Sequence, residues 1–288
     1  MKRIAVVCAL TLSVAACGDG NPFTDGDSAD GDTSPGSVFF DSEQNDGLVA
    51  NNVVYDAGTD TLIINNIPFD DPQNEYIRVT SEAFVNSGFD AYESDPAPGS
   101  AELQYFAIFR RSDSGNSQVA STTSAEYIGF GFGGAGAQRL GADPSLPRSG
   151  IYTYNGEYGA VRTVLNSVGN GDRVEYITGD VELAADFGDF DDVGAVGGIV
   201  SNRILYDDTG TQIGTVAGII SLANGDIDFD NGAIENTTAV QLDGSGAQVA
   251  TGSWEGVFAG PNGEEIAGIV FVEGTDTREI GGIVATTP

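Results

Sequence analysis

Residues 248–285 read QVATGSWEGVFAGPNGEEIAGIVFVEGTDTREIGGIVA, and this stretch decides the fold. Apolar and aromatic side chains alternate with small or polar ones over Gln248 to Ala259, over Glu265 to Val272 and over Arg278 to Ala285, with Pro261-Asn262-Gly263 as the first turn. A period of two with β-branched and aromatic enrichment marks strands, because successive side chains of an extended chain point to opposite faces. The segment therefore reads as three antiparallel strands.

Working outward, the same pattern recurs through the second half of the chain. Further strands are expected over Gly150 to Val164, Arg173 to Ala185, Ala195 to Tyr206, Gln212 to Ser221 and Gly232 to Leu242, which makes eight in all. Asn170-Gly171, Asp208-Thr209-Gly210, Asn224-Gly225, Asn231-Gly232 and Gly244-Ser245-Gly246 are the expected turns between them. Eight strands close a small barrel, and closure removes the edges along which exposed sheets recruit neighbours. Gly197, Gly198, Gly256, Gly268, Gly281 and Gly282 lie inside these strands, where they let a small barrel bend and let opposite walls interdigitate. An open two-sheet sandwich would give a similar strand count without needing those glycines.

The first half is less regular, with strands expected at Leu48 to Tyr55, Thr61 to Ile67, Tyr76 to Thr80, Gln104 to Arg111 and Glu126 to Phe132. Asp56-Ala57-Gly58-Thr59 and Ser114-Gly115-Asn116 are its turns, and Asp95-Pro96-Ala97-Pro98-Gly99 is a loop that no sheet interior accepts. Proline density rises again over Asp143 to Pro147, which places a boundary there. The fold class is all-β: a β-rich domain over 38–148 and an eight-stranded antiparallel β-barrel over 149–288.

Ahead of these domains the chain begins Met1-Lys2-Arg3, continues with an apolar run from Ile4 to Leu12, and reaches Val14-Ala15-Ala16-Cys17. This pattern looks like a bacterial lipoprotein signal over 1–16. A protease of that class needs small residues before the cut, and only a thiol accepts the diacylglycerol, so Cys17 is the expected lipidation site. Gly18 rather than Asp follows, which favours the outer membrane. Residues 17–37 hold almost nothing apolar and read as an acidic, flexible tether. Asp25, Asp27, Asp30 and Asp32 fail the EF-hand order, since the third ligand position falls on Ala29.

Charge and composition narrow the chemistry. The formal net charge is −32, which repels nucleic acid and anionic headgroups. Signal cleavage would leave nine basic residues, all arginine, and no Lys, Met or free Cys beside the lipidated one; His is absent from the whole chain. No Ser-His-Asp triad, HExxH zinc site, imidazole haem ligand or Schiff-base lysine can then be built. A glycosidase-like carboxylate pair is the familiar enzyme class left open, and no spacing singles one out. The chain is therefore expected not to be an enzyme, with no cofactor and no metal.

The run Ser253-Trp254-Glu255-Gly256-Val257-Phe258-Ala259-Gly260-Pro261-Asn262-Gly263-Glu264-Glu265-Ile266-Ala267-Gly268, followed by Ile280-Gly281-Gly282-Ile283-Val284-Ala285, resembles the closing hairpin and last strand of the transferrin-binding protein B family barrel. Tyr152 to Tyr158 is similar to that family's opening strand. Asp180 to Phe187 with Val196 to Val200 is similar to the next hairpin. The likeness covers 149–288. It implies a handle-like domain before the barrel, a lipid-anchored cell-surface location and non-catalytic binding of a protein or solute, as in iron, haem or other nutrient acquisition. Its implied partners are the membrane through the lipid, an unidentified extracellular protein or small ligand, and an outer-membrane receptor or translocator. A structural or adhesive envelope role is the alternative.

Candidate ligand-binding residues are aromatic. Phe130 and Phe132 lie in Gly129-Phe130-Gly131-Phe132-Gly133-Gly134, which fits G-x-G-x-x-G as letters but precedes no helix, so a dinucleotide site is not expected. They form either a protein-binding patch or core. Tyr152, Tyr154 and Tyr158 share one face of the first barrel strand, as a ligand platform if outward and as filling if inward. Trp254 is expected to cap the core, and any haem would need a tyrosine ligand. The acids Asp186, Asp189, Asp191 and Asp192, which surround Phe187 and Phe190, and Asp226, Asp228 and Asp230 read as solvated hairpin tips.

Overall fold

The computed structural model describes residues 36–40, 47–70, 75–79, 87–165, 172–188 and 193–287. Cys17, the signal segment, nearly all of the tether, the turn Asn170-Gly171, and Asp189, Phe190, Asp191 and Asp192 lie outside the described residues. Every regular element among the described residues is a strand.

The first sheet contains β1 (Ser37–Phe39), β2 (Asn52–Asp56), β3 (Thr61–Asn65), β4 (Glu75–Arg78), β5 (Asp90–Ser94), β6 (Phe106–Arg111), β7 (Ser117–Thr123) and β8 (Gly133–Arg139). Their order is β1-β8-β7-β6-β5-β4-β3-β2, all antiparallel. Three expectations change here. Glu126 to Phe132 is a loop and not a strand, because Gly129 and Gly131 adopt φ of +64° and +66°, which turn the chain. Leu48 to Ala50 precede β2 instead of belonging to it, with Leu48 bridged to Gly133. β1, β5, β7 and β8 go unannounced in sequence; in β7 and β8, Ser-Gln-Val-Ala-Ser-Thr-Thr and Gly-Gly-Ala-Gly-Ala-Gln-Arg carry no large apolar alternation, yet every residue in both is buried.

The barrel is built from β9 (Ile151–Val164), β10 (Arg173–Asp186), β11 (Ala195–Tyr206), β13 (Ile219–Asp228), β14 (Ala233–Leu242), β15 (Gln248–Ala259), β16 (Glu265–Gly274) and β17 (Thr277–Thr286); the short β12 (Gln212–Thr215) lies beside β11. Antiparallel pairing runs from β9 through β10 and round to β17, and β17 pairs back to β9 from Thr277↔Val164 to Thr286↔Asn155, so the cylinder closes. The expected strand over Gln212 to Ser221 is two elements, since Gly218 with φ +86° separates β12 from β13. Asn224-Gly225 is no turn: Gly225 sits inside β13 opposite Val196, where a Cβ would come within 2.5 Å of the Glu235 carbonyl oxygen. That glycine answers a close approach between strands and not a reversal.

Strand alternation sorts the barrel wall into two cores. Tyr154, Ile177, Leu183, Val200, Trp254 and Ile283 are among the residues that fill the lumen. Their outward neighbours Val161, Tyr176, Val257, Ile269, Ile280 and Val284 pack against Leu48, Ile108, Val119 and Ala135 of the first sheet. The two halves thus share one apolar interface. Each buried aromatic contributes about 4 kcal/mol of gross burial at ~25 cal/mol per Å².

Small residues make that interface possible. A Cβ on Gly282 would meet Val119 at 2.8 Å, and one on Gly133 would meet Ile280 at 2.7 Å. Polar contacts pin the same seam: Ser114 donates to Glu265 at 2.6 Å, Ser117 also bonds Glu265, and Arg139 donates to the carbonyls of Asn231 and Phe258 at 2.8 and 3.1 Å. Glu265 is buried, and these hydroxyls replace the water that its carboxylate gives up.

Candidate functional site

The barrel lumen is occupied by the protein's own side chains, in two chemically different parts. In one, Tyr154 donates to the Gly263 carbonyl at 2.7 Å and stacks edgewise on Phe258, and Trp254 Nε1 donates to the Ala223 carbonyl at 2.8 Å. In the other, Tyr158 donates to Glu279 Oε1 at 2.9 Å, and Arg203 Nη1 lies 3.0 Å from both oxygens of Glu279. Nearby on β9 and β10, Glu175 bridges Arg162 and Arg173. Arg203 and Tyr158 are completely buried and Glu279 is 2 % exposed. Burial, reinforced by the Glu279 charge, pushes the Tyr158 phenol well above its ordinary value of 10.0, so it stays a neutral donor.

A bulge places that arginine. Register slips between Thr178↔Ile204 and Asp180↔Ser201, and Asn202 takes φ +51° to absorb the extra residue. Val200 faces the lumen, so strict alternation would turn Arg203 outward, and the bulge turns it in. Gly179 opposite leaves room, since a Cβ there would lie 3.1 Å from Arg203 Cγ.

Of the three tyrosines on the first barrel strand, Tyr154 and Tyr158 therefore point inward, at 1 % and 0 % exposure, out of reach of any external partner. Tyr152 lies at the rim, 41 % exposed, with its ring edge-on to Phe187. Trp254 is wholly buried.

Phe130 and Phe132 belong to the loop Ser124–Phe132 between β7 and β8. Gly131 N–H donates to the Ile128 carbonyl at 3.3 Å and Ser124 N–H to the Phe132 carbonyl at 3.2 Å, which closes the loop on itself. Phe130 is seated 5.0 Å from the Arg278 guanidinium, which also donates to the Gly131 carbonyl at 3.2 Å and is held by Glu273. Phe132 packs against Tyr127 at 5.0 Å and Phe69 at 6.1 Å, and Phe69 stacks on Tyr127 at 5.7 Å. Both phenylalanines are half-buried supports.

What the loop presents outward is Ile128, 87 % exposed, with Tyr127 at 40 %. These two residues are not singled out by sequence reasoning; the signal for them is the pair of glycines that make residues 126–131 a protruding turn. Phe69, beneath the platform, holds φ +59° although it is bulky, a backbone conformation that costs of order 1–3 kcal/mol. Strain of this kind is retained where the surrounding structure over-determines it, and here it sets an aromatic ring under an exposed tip.

Of the acids expected at hairpin tips, Asp186 and Asp226 lie in β10 and β13, each paired with Ala195 of β11, and the acids that do sit at turns are local caps. Asp228 accepts from Asp230 N–H at 2.8 Å, and Asn231 accepts from Ala233 N–H at 2.8 Å. Asp207 and Asp243 act in the same way at matched turns: each accepts from the residues two and four positions ahead. Those bonds, led by the Thr209 and Ser245 hydroxyls, hold both carboxyls below their ordinary value of 3.8. Among the described residues no group of three or more His, Cys, Asp or Glu is placed to hold a metal ion. Of the glycines in the G-x-G-x-x-G string, Gly129 and Gly131 turn the loop, and Gly133 and Gly134 open β8 and allow its close packing against Ile280 and Ala50.

No family model and no curated protein matches the chain. Among solved structures it is similar to a double mutant of transferrin-binding protein B from Haemophilus parasuis Hp5, at 13% identity and TM-score 0.43, over 81% of this chain and 43% of that one. It is also similar to a mutant of transferrin-binding protein B from Actinobacillus pleuropneumoniae H49, at 19% identity and TM-score 0.37, over 62% of this chain and 79% of that one. A structure described as a surface lipoprotein matches at 16% identity and TM-score 0.36, over 76% of this chain and 95% of that one. The chain thus spans less than half the length of the first of these.

Proposed function

We propose that the chain is a lipid-anchored binding protein of the outer-membrane surface, which holds a protein or solute ligand without transforming it and contacts it through the loop Ser124–Phe132. The observation that carries this reading is the exposed pair Tyr127 and Ile128, raised on Phe69 and Phe132 and braced by Phe130 on Arg278. A rigid aromatic base under an exposed apolar tip loses little conformational entropy on association, which is how anchor residues at interfaces gain their affinity. Membrane attachment rests on the lipoprotein pattern that ends at Cys17, and a non-catalytic role rests on a composition without histidine. Capture of iron carriers, haem or another nutrient, with delivery to an outer-membrane receptor, is the use proposed for such a surface.

Two experiments test the reading. Protease shaving of intact cells is expected to release the protein; full protection would place it inside the envelope and remove any large external partner. Cells carrying Tyr127→Ser with Ile128→Ser are expected to retain a normal surface level of the protein and lose saturable ligand uptake from native medium. Undiminished uptake at equal surface level would remove the loop from the binding site.

A further inference from the structure

A groove of about 680 Å³ opens where β4, β5 and β6 of the first sheet face the turn between β11 and β12. It is lined by apolar Ile77, Val79 and Phe106 and by the carboxylates of Glu93, Asp95 and Asp208. Arg78, its one basic lining residue, is fully engaged: Nε and Nη2 bind Asp60 at 2.6 and 2.9 Å, and Nη1 pairs with Asp90. None of the three lining carboxylates has an ion-pair partner among the described residues.

The turn itself does not require Asp208. At the matched turn Asp243-Gly244-Ser245-Gly246, the same capping bonds form with glycine in the equivalent place, so Asp208 adds a charge without adding to the turn. That charge faces Glu93, whose carboxyl is pushed up first by burial and then by Asp208. The Tyr176 hydroxyl hydrogen-bonds Glu93, and among the described residues no basic side chain pairs with either acid, so the groove offers apolar surface beside negative charge that lacks a counter-cation.

We infer that this groove receives the arginine or lysine side chain of a basic segment on a protein partner. Its aliphatic stem would lie along Ile77, Val79 and Phe106, and its charged head would sit between Glu93 and Asp208. The inference goes beyond the loop Ser124–Phe132 and stands independently of it.

The test is a titration of the ¹⁵N-labelled protein with acetyl-Gly-Gly-Arg-Gly-Gly-amide, followed by amide chemical shifts. Saturable shifts confined to the neighbourhoods of Arg78, Glu93 and Asp208 are expected, with citrulline in place of arginine abolishing them. Asp208→Gly, which copies the matched turn and so preserves the fold, is expected to weaken binding roughly fivefold, the effect of one nearby charge. Glu182→Gln on the barrel wall, an equal loss of charge, is expected to leave it unchanged. Equal binding of the citrulline peptide, shifts spread over the acidic surface, or an equal effect of Glu182→Gln would overturn the inference. So would free arginine amide binding as tightly as the peptide, which would make the occupant a small cation and not a partner segment.

Discussion

The barrel and the first sheet are built from equal numbers of strands, yet only the barrel closes by main-chain pairing all round. In the barrel every wall strand has two neighbours, and its interior is filled by residues as large as Trp254, Tyr154 and Phe258. The first sheet ends in β1 and β2, and among the described residues three of the four non-glycines with positive φ, Asp60, Asn66 and Phe69, belong to its half; the fourth, Asn202, is the barrel's bulge. Backbone strain therefore gathers on the half that does not close, whereas exposed apolar side chains occur on both, Tyr127 and Ile128 on the first and Ile151, Ile199 and Val249 on the barrel. The closed half supplies stability and a flat apolar wall, and the open half, held against that wall, presents the candidate contacts.

The strongest way to break this contrast lies in the lumen. Trp254→Ala is expected to destabilise the protein by about 3–5 kcal/mol in urea unfolding, because a wholly buried indole leaves a cavity and an orphaned carbonyl at Ala223. A loss under 1 kcal/mol would mean that the lumen is not the packed centre described. Glu279→Gln is expected to cost a similar ~3–5 kcal/mol, since it leaves Arg203 buried without its counter-charge. The double variant Arg203→Met with Glu279→Leu should recover most of that loss, which would sharpen the assignment of the pair as a charge-balancing element and not a gain in stability on its own.

Next in size is the seam. Gly282→Val drives two methyl groups toward Val119 and is expected to destabilise by about 1–3 kcal/mol. It should also make the first sheet digestible by protease before the barrel, and simultaneous digestion would show the halves to be coupled more tightly than the contrast allows.

A smaller effect is expected at Asp60, where the Arg78 guanidinium, with help from Tyr55 and Tyr92, holds the carboxyl below its ordinary 3.8. A folded-state value below the unfolded one contributes stability that is complete above pH 3.8 and lost as pH falls through the lowered value. Since the pair is partly exposed, its worth is about 0.5–1 kcal/mol. Asp60→Asn should remove that amount at pH 7 and flatten the acid limb of the stability curve. Glu93 has the opposite sign: its raised value makes the protein relatively more stable below its ordinary 4.5 and less so as pH rises past it. The smallest stability effect belongs to Ile128→Ser, within about 0.5 kcal/mol, because that side chain is largely exposed.

The same contrast governs what could be read in the sequence. Barrel strands alternate a filled lumen with a covered or solvated outer wall, so β11 and β15 emerge from the pattern with their observed ends, Ala195 to Tyr206 and Gln248 to Ala259. The break at Gly218 and the strand passing through Asn224-Gly225 were hidden, because glycine serves both turns and close approaches and only the neighbouring strand decides which. In the first sheet, β7 and β8 are sandwiched between two cores and use Ser, Thr, Ala and Gly to fit, which erases the alternation. Phe130 and Phe132 were legible as aromatics of interest, but their support of Tyr127 and Ile128 depends on Arg278, 148 and 146 residues further along the chain, and on the strained Phe69. Arg203 was illegible as a lumen residue for a similar reason: a one-residue bulge reverses its face.

The most direct test of the account places a photo-crosslinking residue at position 128 on the loop tip or, separately, at position 199 on the barrel wall, where Ile199 is also exposed. Cells in native medium are then illuminated, with and without excess unlabelled protein. A discrete, competable adduct is expected from position 128 and none from position 199. An adduct of equal yield from the barrel wall, or none from the loop, would contradict that expectation.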